Sequence, residues 1–115
     1  ASIYSQTLSD IDDVDVPIVC DKNVHIWHKY VLRVQHNRDN LMAYLKQKGI
    51  GTTIHYSIPL HRQPCFSEYA SIQLKLPKVE NYVNRILSLP IYPELTDDEI
   101  NYICDSLKSY FSNQR

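Results

Sequence analysis

At 115 residues the chain is long enough to close one small core and too short for two. Its 43% hydrophobic and 22% charged residues exclude a disordered tail, and 12 basic against 13 acidic residues exclude the basic footprint of a nucleic-acid or anionic-membrane binder. Two glycines are too few for a Gly-rich phosphate loop, and no apolar run approaches the length of a membrane span.

The opening residues carry no signal-peptide pattern, which sets the expectation of a cytoplasmic protein. Cys20, Cys65 and Cys104 are odd in number, far apart and lack any CxxC pairing. They read as reduced, partly buried thiols, not as a zinc ribbon or a disulfide framework.

Residues 1–8 place Ile3, Tyr4 and Leu8 at helical spacing with no capping residue before them. They read as the end of a longer helix. Asp10, Asp12, Asp13 and Asp15 then alternate with Ile11, Val14 and Val16. The Gly and distal Glu of a calcium loop are missing, so this reads as a solvated acidic linker.

Residues 24–34 (VHIWHKYVLRV) alternate with period two and are expected to form the best strand, central and covered on part of both faces. His25 and His28 would then face opposite sides and could not share a metal. Residues 38–48 predict a helix with Leu41, Met42 and Leu45 inward. Asn37 is its expected N-cap, and Gly49 fits the left-handed position after its end. Residues 50–55 predict a second strand, for which the strand–helix–strand order permits parallel pairing.

Residues 61–76 read as irregular, with one turn near 66–70. Pro77 opens a helix whose apolar face is expected from Val79, Tyr82, Val83, Ile86 and Leu87. Residues 88–92 (SLPIY) form a short extended piece, confined to an edge or strand end by Pro90 and Pro93. Thr96-Asp97-Asp98-Glu99 has the pattern of a capping box. The helix it starts has Ile100, Ile103, Cys104, Leu107, Tyr110 and Phe111 as its inward stripe. The resulting fold class is α+β: a small mixed or antiparallel sheet of about three strands packed with helices.

Residues 49–64 concentrate the chemistry. Both glycines, two of the five histidines and two of the six prolines lie there. His55, Tyr56, His61 and Arg62 are the candidate ligand contacts. Imidazole donates, accepts or carries charge near neutral pH, a phenol donates, and guanidinium offers a fork to carboxylate or phosphate. No nucleophile elbow is present, and no third ligand completes a zinc site. A polar surface loop pinned by two prolines explains the same composition. The nine tyrosines read as core and margin rings rather than an RNA-stacking platform.

Three blocks in order, HIWHKYVLRV, GIGTTIHYSIPLHRQPCF and ILSLPIYPELTDDEINYICDSL, resemble the end of a DegT/StrS-type sugar aminotransferase. The likeness spans roughly residues 20–108. It implies the C-terminal small domain of a type I fold, pyridoxal-phosphate-dependent enzyme. Such enzymes move an amino group, usually from glutamate, to a keto group on a nucleotide-linked sugar, as in cell-surface polysaccharide biosynthesis. It implies a homodimer and a large domain carrying the Schiff-base lysine. No lysine of this chain lies in that context, so no cofactor and no activity are expected of the chain alone. By the resemblance, His55, Tyr56, His61 and Arg62 face the cofactor cleft and contact the sugar nucleotide. Residues 71–75 depart from the family pattern, being polar where relatives often carry a Gly-containing connector.

Residues 1–19 are accordingly expected to be a connecting-helix remnant and linker, and 20–115 the small domain. Apolar surface meant for the large domain predicts self-association. A stand-alone, non-catalytic ligand-binding or regulatory module of the same fold is the alternative. The upstream reading frame separates the two.

Overall fold

The computed structural model describes residues 1–69 and 74–113. The chain runs α1 (Ser2–Leu8), β1 (Val14–Asp15), β2 (Tyr30–Val34), α2 (Arg38–Gln47), two 3-10 segments (Leu60–Arg62 and Pro64–Tyr69), α3 (Pro77–Val83), β3 (Ile86–Leu89) and α4 (Asp97–Ser112). The three strands form one sheet in the order β1-β2-β3, antiparallel throughout. The α+β expectation with a three-stranded sheet therefore holds.

Strand pairing sets the two faces. Tyr30 lies opposite Leu89 and Leu32 opposite Leu87, and all four are buried. They pack with Val34, Leu41, Leu45, Ile103, Leu107 and Phe111 in a single apolar core. Val31 opposite Ser88 and Arg33 opposite Ile86 point the other way. One face of the sheet is thus sealed by helices, and the other is covered only in part.

Helix α4 has the apolar stripe that its spacing predicts, with Ile103, Cys104, Leu107, Tyr110 and Phe111 buried. Its capping box is complete. The Glu99 amide donates to the Thr96 hydroxyl at 3.3 Å, and the Thr96 amide donates to the Glu99 carboxylate at 2.9 Å. Those bonds hold the Glu99 carboxyl below its usual range. Helix α1 lies against α4, with Tyr4 and Leu8 in the core. The Tyr4 hydroxyl donates to the Pro90 carbonyl at 3.0 Å, tying the start of the chain to the end of β3. Burial raises the pKa of the Tyr4 phenol, so it stays a donor.

Several local expectations need correction. The strand over residues 24–34 begins only at Tyr30. Val24 and Ile26 are 93% and 87% exposed. β1 offers two residues and β3 four, so the alternating pattern outruns its partners. Trp27 adopts φ +52° and stacks between His25, 4.1 Å away, and Tyr30, 5.6 Å away. The face argument for His25 and His28 falls with the strand.

Residues 50–55 supply a single antiparallel bridge, Thr53 to Ser88, and not a parallel strand. The segment lies beside β3 and not beside β2, so the parallel pairing that the strand–helix–strand order permits does not form. Asn37 has φ +56° and makes no side-chain cap. Gly49 does adopt the left-handed conformation, φ +76°.

The acidic stretch is not wholly linker. Val14 and Asp15 pair with β2, and the Asp15 carboxylate accepts from Arg33 at 2.8 Å and Gln35 at 3.0 Å. Helix α3 starts at Pro77 as expected but stops at Val83 and buries none of its residues. Ile86 and Leu87 belong instead to β3, so the five-residue helical stripe does not exist. The Arg38 guanidinium bridges this break, donating to the carbonyls of Val83 at 3.2 Å and Ile86 at 2.9 Å. Cys20 and Cys65 are exposed, and only Cys104 of the three is buried. The turn expected near 66–70 is the second 3-10 segment, and residue 70 lies outside the described residues.

Candidate functional site

Four side chains of the 49–64 loop are the sequence candidates, and the fold sorts them into two groups. The first group is His55 with Tyr56. The Thr53–Ser88 bridge fixes the segment along the free edge of β3, by a 2.7 Å bond from the Ser88 amide to the Thr53 carbonyl. Two residues on, His55 returns to the same side. Its Nδ1 is 2.8 Å from the buried Ser88 hydroxyl. The Tyr56 ring sits edge-on to the imidazole, 5.5 Å away, and the residue is 70% exposed.

The second group is His61 with Arg62. Both come from the first 3-10 segment, and both reach the same Oε1 of Glu80 on α3, at 3.1 Å and 2.9 Å. The His61 side chain is only 10% exposed, whereas the Arg62 guanidinium stays largely open. Arg62 first, then His61, holds the Glu80 carboxyl below its usual range. Gln63 adds a 3.0 Å bond to the Ile58 carbonyl within the loop. His61 therefore braces the loop, while Arg62 keeps donors free for a ligand.

A pocket of about 210 Å³ opens beside His55, lined by His28, Lys29, Thr53, His55 and Ser88 with Gly51 and residues 89–91. Desolvation, then the facing charges of Lys29 and His28, pushes the His55 imidazole below the usual histidine range. A larger hollow of about 500 Å³ lies on the same open face of the sheet, against Val31, Arg33, Ile86 and the 14–18 segment. Its lining is mostly apolar, crossed by the Arg33 guanidinium stacked on Tyr82 at 4.4 Å. Among the described residues no three His, Cys, Asp or Glu side chains converge as metal ligands.

With the geometry in place, the family model of the DegT/DnrJ/EryC1/StrS aminotransferases matches residues 1–108. The chain belongs to this family. The "Pleiotropic regulatory protein" of Geobacillus stearothermophilus is 34% identical over 96% of this chain and 30% of its own length. The dTDP-3-amino-3,6-dideoxy-alpha-D-galactopyranose transaminase of Aneurinibacillus thermoaerophilus is also 34% identical, over 84% of this chain and 26% of its own. Among solved structures, S. venezuelae DesV superposes with a TM-score of 0.88 at 27% identity, covering 96% of this chain and 29% of that one. A DegT DnrJ EryC1 StrS aminotransferase from Brucella abortus gives 0.84 at 33% identity, over 94% and 28%. The chain thus spans about 30% of the length of the family members it matches.

Three residues of this family member escape a reading of the sequence. Ser88 lies in a segment read only as extended, Lys29 in an overextended strand, and Glu80 on a helix judged by its apolar spacing. Ser88 and Lys29 meet His55 only when β3 and the 24–29 segment fold beside the 49–55 segment. Glu80 meets His61 only when α3 packs beside the loop. No linear signal encodes either approach.

Proposed function

We propose that this chain is the C-terminal small domain of a pyridoxal-phosphate-dependent enzyme. That enzyme transfers an amino group, from glutamate, to a keto nucleotide-sugar. Residues 1–19 are read as the connecting helix and linker, docked on the small domain through Tyr4, Leu8 and the β1 pairing, and residues 20–115 as the rest of that domain. The observation that carries this reading is the family match over residues 1–108 by a chain that covers about 30% of its relatives' length. The relatives named as dTDP-sugar transaminases supply the substrate class. Homodimerisation and a cytoplasmic setting belong to the same proposal.

The open pocket does not fit the whole cofactor. The pyridine nitrogen of pyridoxal phosphate calls for an acidic partner, and the described lining of the His55 pocket contains no Asp or Glu. The reactive lysine and the acidic partner are accordingly assigned to polypeptide beyond these residues. Within this chain, His55, Tyr56 and Arg62 are assigned to the sugar nucleotide. His61 is assigned to the same site and acts through Glu80, holding the loop that carries Arg62.

The test compares the 115-residue chain with the product of the full reading frame. The longer protein should show the cofactor absorbance band and transaminate a dTDP-keto-sugar with glutamate, and the short chain should do neither. An upstream frame without a lysine-bearing cofactor domain would overturn the reading. It would favour a stand-alone regulatory or ligand-binding module, a reading supported by the Geobacillus relative, which is named a pleiotropic regulatory protein.

A further inference from the structure

We propose that the turn over residues 25–27 is a proton-operated latch, with the His25 imidazole as its catch, and that it sets the place of His28 and Lys29 beside the His55 pocket. The latch is independent of the aminotransferase reading, and only its bearing on function rests on that pocket being the ligand site.

One bond of a particular kind closes the turn. The Trp27 amide donates to His25 Nδ1 at 2.9 Å. That nitrogen accepts only while it carries no proton. In the closed turn Trp27 adopts φ +52°, a conformation that bulky side chains rarely take. The His25 ring lies on the indole, 4.1 Å between centroids and 29° from parallel. Trp27 in turn stacks on Tyr30 of β2 at 5.6 Å and packs, partly buried, against the core. The turn thus clips a segment with exposed Val24 and Ile26 onto the sheet. The chain leaves it directly into His28 and Lys29, which line the pocket with His55.

Protonation removes the acceptor. Imidazolium donates from both nitrogens, so its Nδ1–H would meet the Trp27 N–H head-on. An imidazolium still stacks on an indole face, but stacking alone fixes no backbone dihedral. With the bond gone, the cost of the left-handed conformation at Trp27 is no longer offset. His25 is exposed, so the proton comes straight from water. Its own segment carries Asp21, Lys22, His28 and Lys29. The elements behind Trp27 bring Tyr30 of β2 and Tyr4 of α1, whose phenols burial keeps neutral, and His55 stands across the pocket. Among the described residues His25 makes no ion pair, so no carboxylate holds the ring in its charged form. The closed turn favours the neutral imidazole. It is therefore present above the imidazole range and lost as pH falls through it.

Trp27 is the single tryptophan, so its emission and its amide report on the turn alone. The test takes the 115-residue chain from pH 8 to pH 5, the range in which histidine titrates. At the upper end the Trp27 amide should be protected and should show the strong cross-relaxation to its own Hα that marks positive φ. Both should decline in one step, with exchange rising about tenfold beyond its intrinsic pH dependence, the loss of one hydrogen bond. The amides of residues 28 and 29 should shift in the same step. His25→Asn keeps a side-chain acceptor for the amide two residues on but does not titrate, and should stay closed throughout. His25→Ala should be open throughout, with the α4 amides unchanged as the check on folding. His28→Asn should keep the step.

Protection that does not change with pH, or a step that survives His25→Asn or disappears in His28→Asn, overturns the latch. So does a fall in emission with the amide unmoved, which is quenching by imidazolium and no more. A step at Trp27 that leaves residues 28 and 29 unmoved overturns its bearing on the pocket. None of these failures touches the aminotransferase reading, which is tested by transamination on the full-length enzyme.

Discussion

The helix-covered face of the sheet and its open face are made by alternate residues of the same two strands, yet different forces hold them. On the covered face Tyr30, Leu32, Leu87 and Leu89 meet α1, α2 and α4 with almost no solvent access. That side is stabilised by area removed from water, roughly 25 cal/mol per Å² of apolar surface. On the open face the contacts are few and polar. His55 leans on Ser88, and His61 and Arg62 share Glu80. These few pairs, one exposed and two partly buried, bury little apolar area. What they do is hold a loop in one place. The same strands thus separate stability from ligand chemistry, with side-chain alternation as the divider.

Substitutions can break that separation, and the largest effect belongs to the covered face. Leu107→Ala removes a fully buried side chain from α4 and should destabilise the chain by about 2–5 kcal/mol in urea unfolding. The His55 imidazole resonances of whatever remains folded should be unchanged. A loss under about 1 kcal/mol would mean that α4 is not the keystone of the core. Next in size is Tyr4→Phe, which leaves the Pro90 carbonyl without its 3.0 Å donor and should cost about 1 kcal/mol. Thr96→Ala deletes the α4 cap at a similar cost, about 1 kcal/mol, and should speed amide exchange in the first turn of that helix more than elsewhere.

The open face should respond in a different measure. Glu80→Gln should barely move the global midpoint at neutral pH but should raise amide exchange across residues 59–69. The sign of its pH dependence follows from the depressed Glu80 carboxyl. Its stabilising contribution is present above the unfolded value of 4.5 and is lost as pH falls through the lower folded value. The difference between wild type and Glu80→Gln should therefore vanish in acid.

The smallest effect is expected at His55. Its folded value lies below 6.5, so the unfolded chain binds more protons just under that pH. Stability is intact above 6.5 and declines slightly as pH falls past it. Ser88→Ala should alter this titration, read from the imidazole resonances, more than it alters the unfolding midpoint. Equal effects on both would mean that the two faces are not separate.

The legible parts of the fold are those carried by local chemistry. The α4 stripe and its capping box need only residues three and four apart, and Gly49 needs only its own φ. The misread parts depend on distant partners. The strand pattern of residues 24–34 is real, but a strand lasts only as far as its neighbours, and β1 and β3 stop short. The helical stripe through Ile86 and Leu87 failed because Arg38, from α2, caps α3 and lets the chain turn into β3. The site was half legible. Residues 49–64 stood out by composition, but nothing in them shows that His61 would turn to Glu80 while His55 turned to Ser88.

The sequence by itself determined the α4 stripe with its cap, the left-handed turn at Gly49 and the family, because those rest on spacings of a few residues and on motif order. Tertiary structure alone decided which charged groups share a pocket. Lys29, His55 and Ser88 are brought together by backbone pairing at the β3 edge, and electrostatic interaction depends on distance through space, not along the chain.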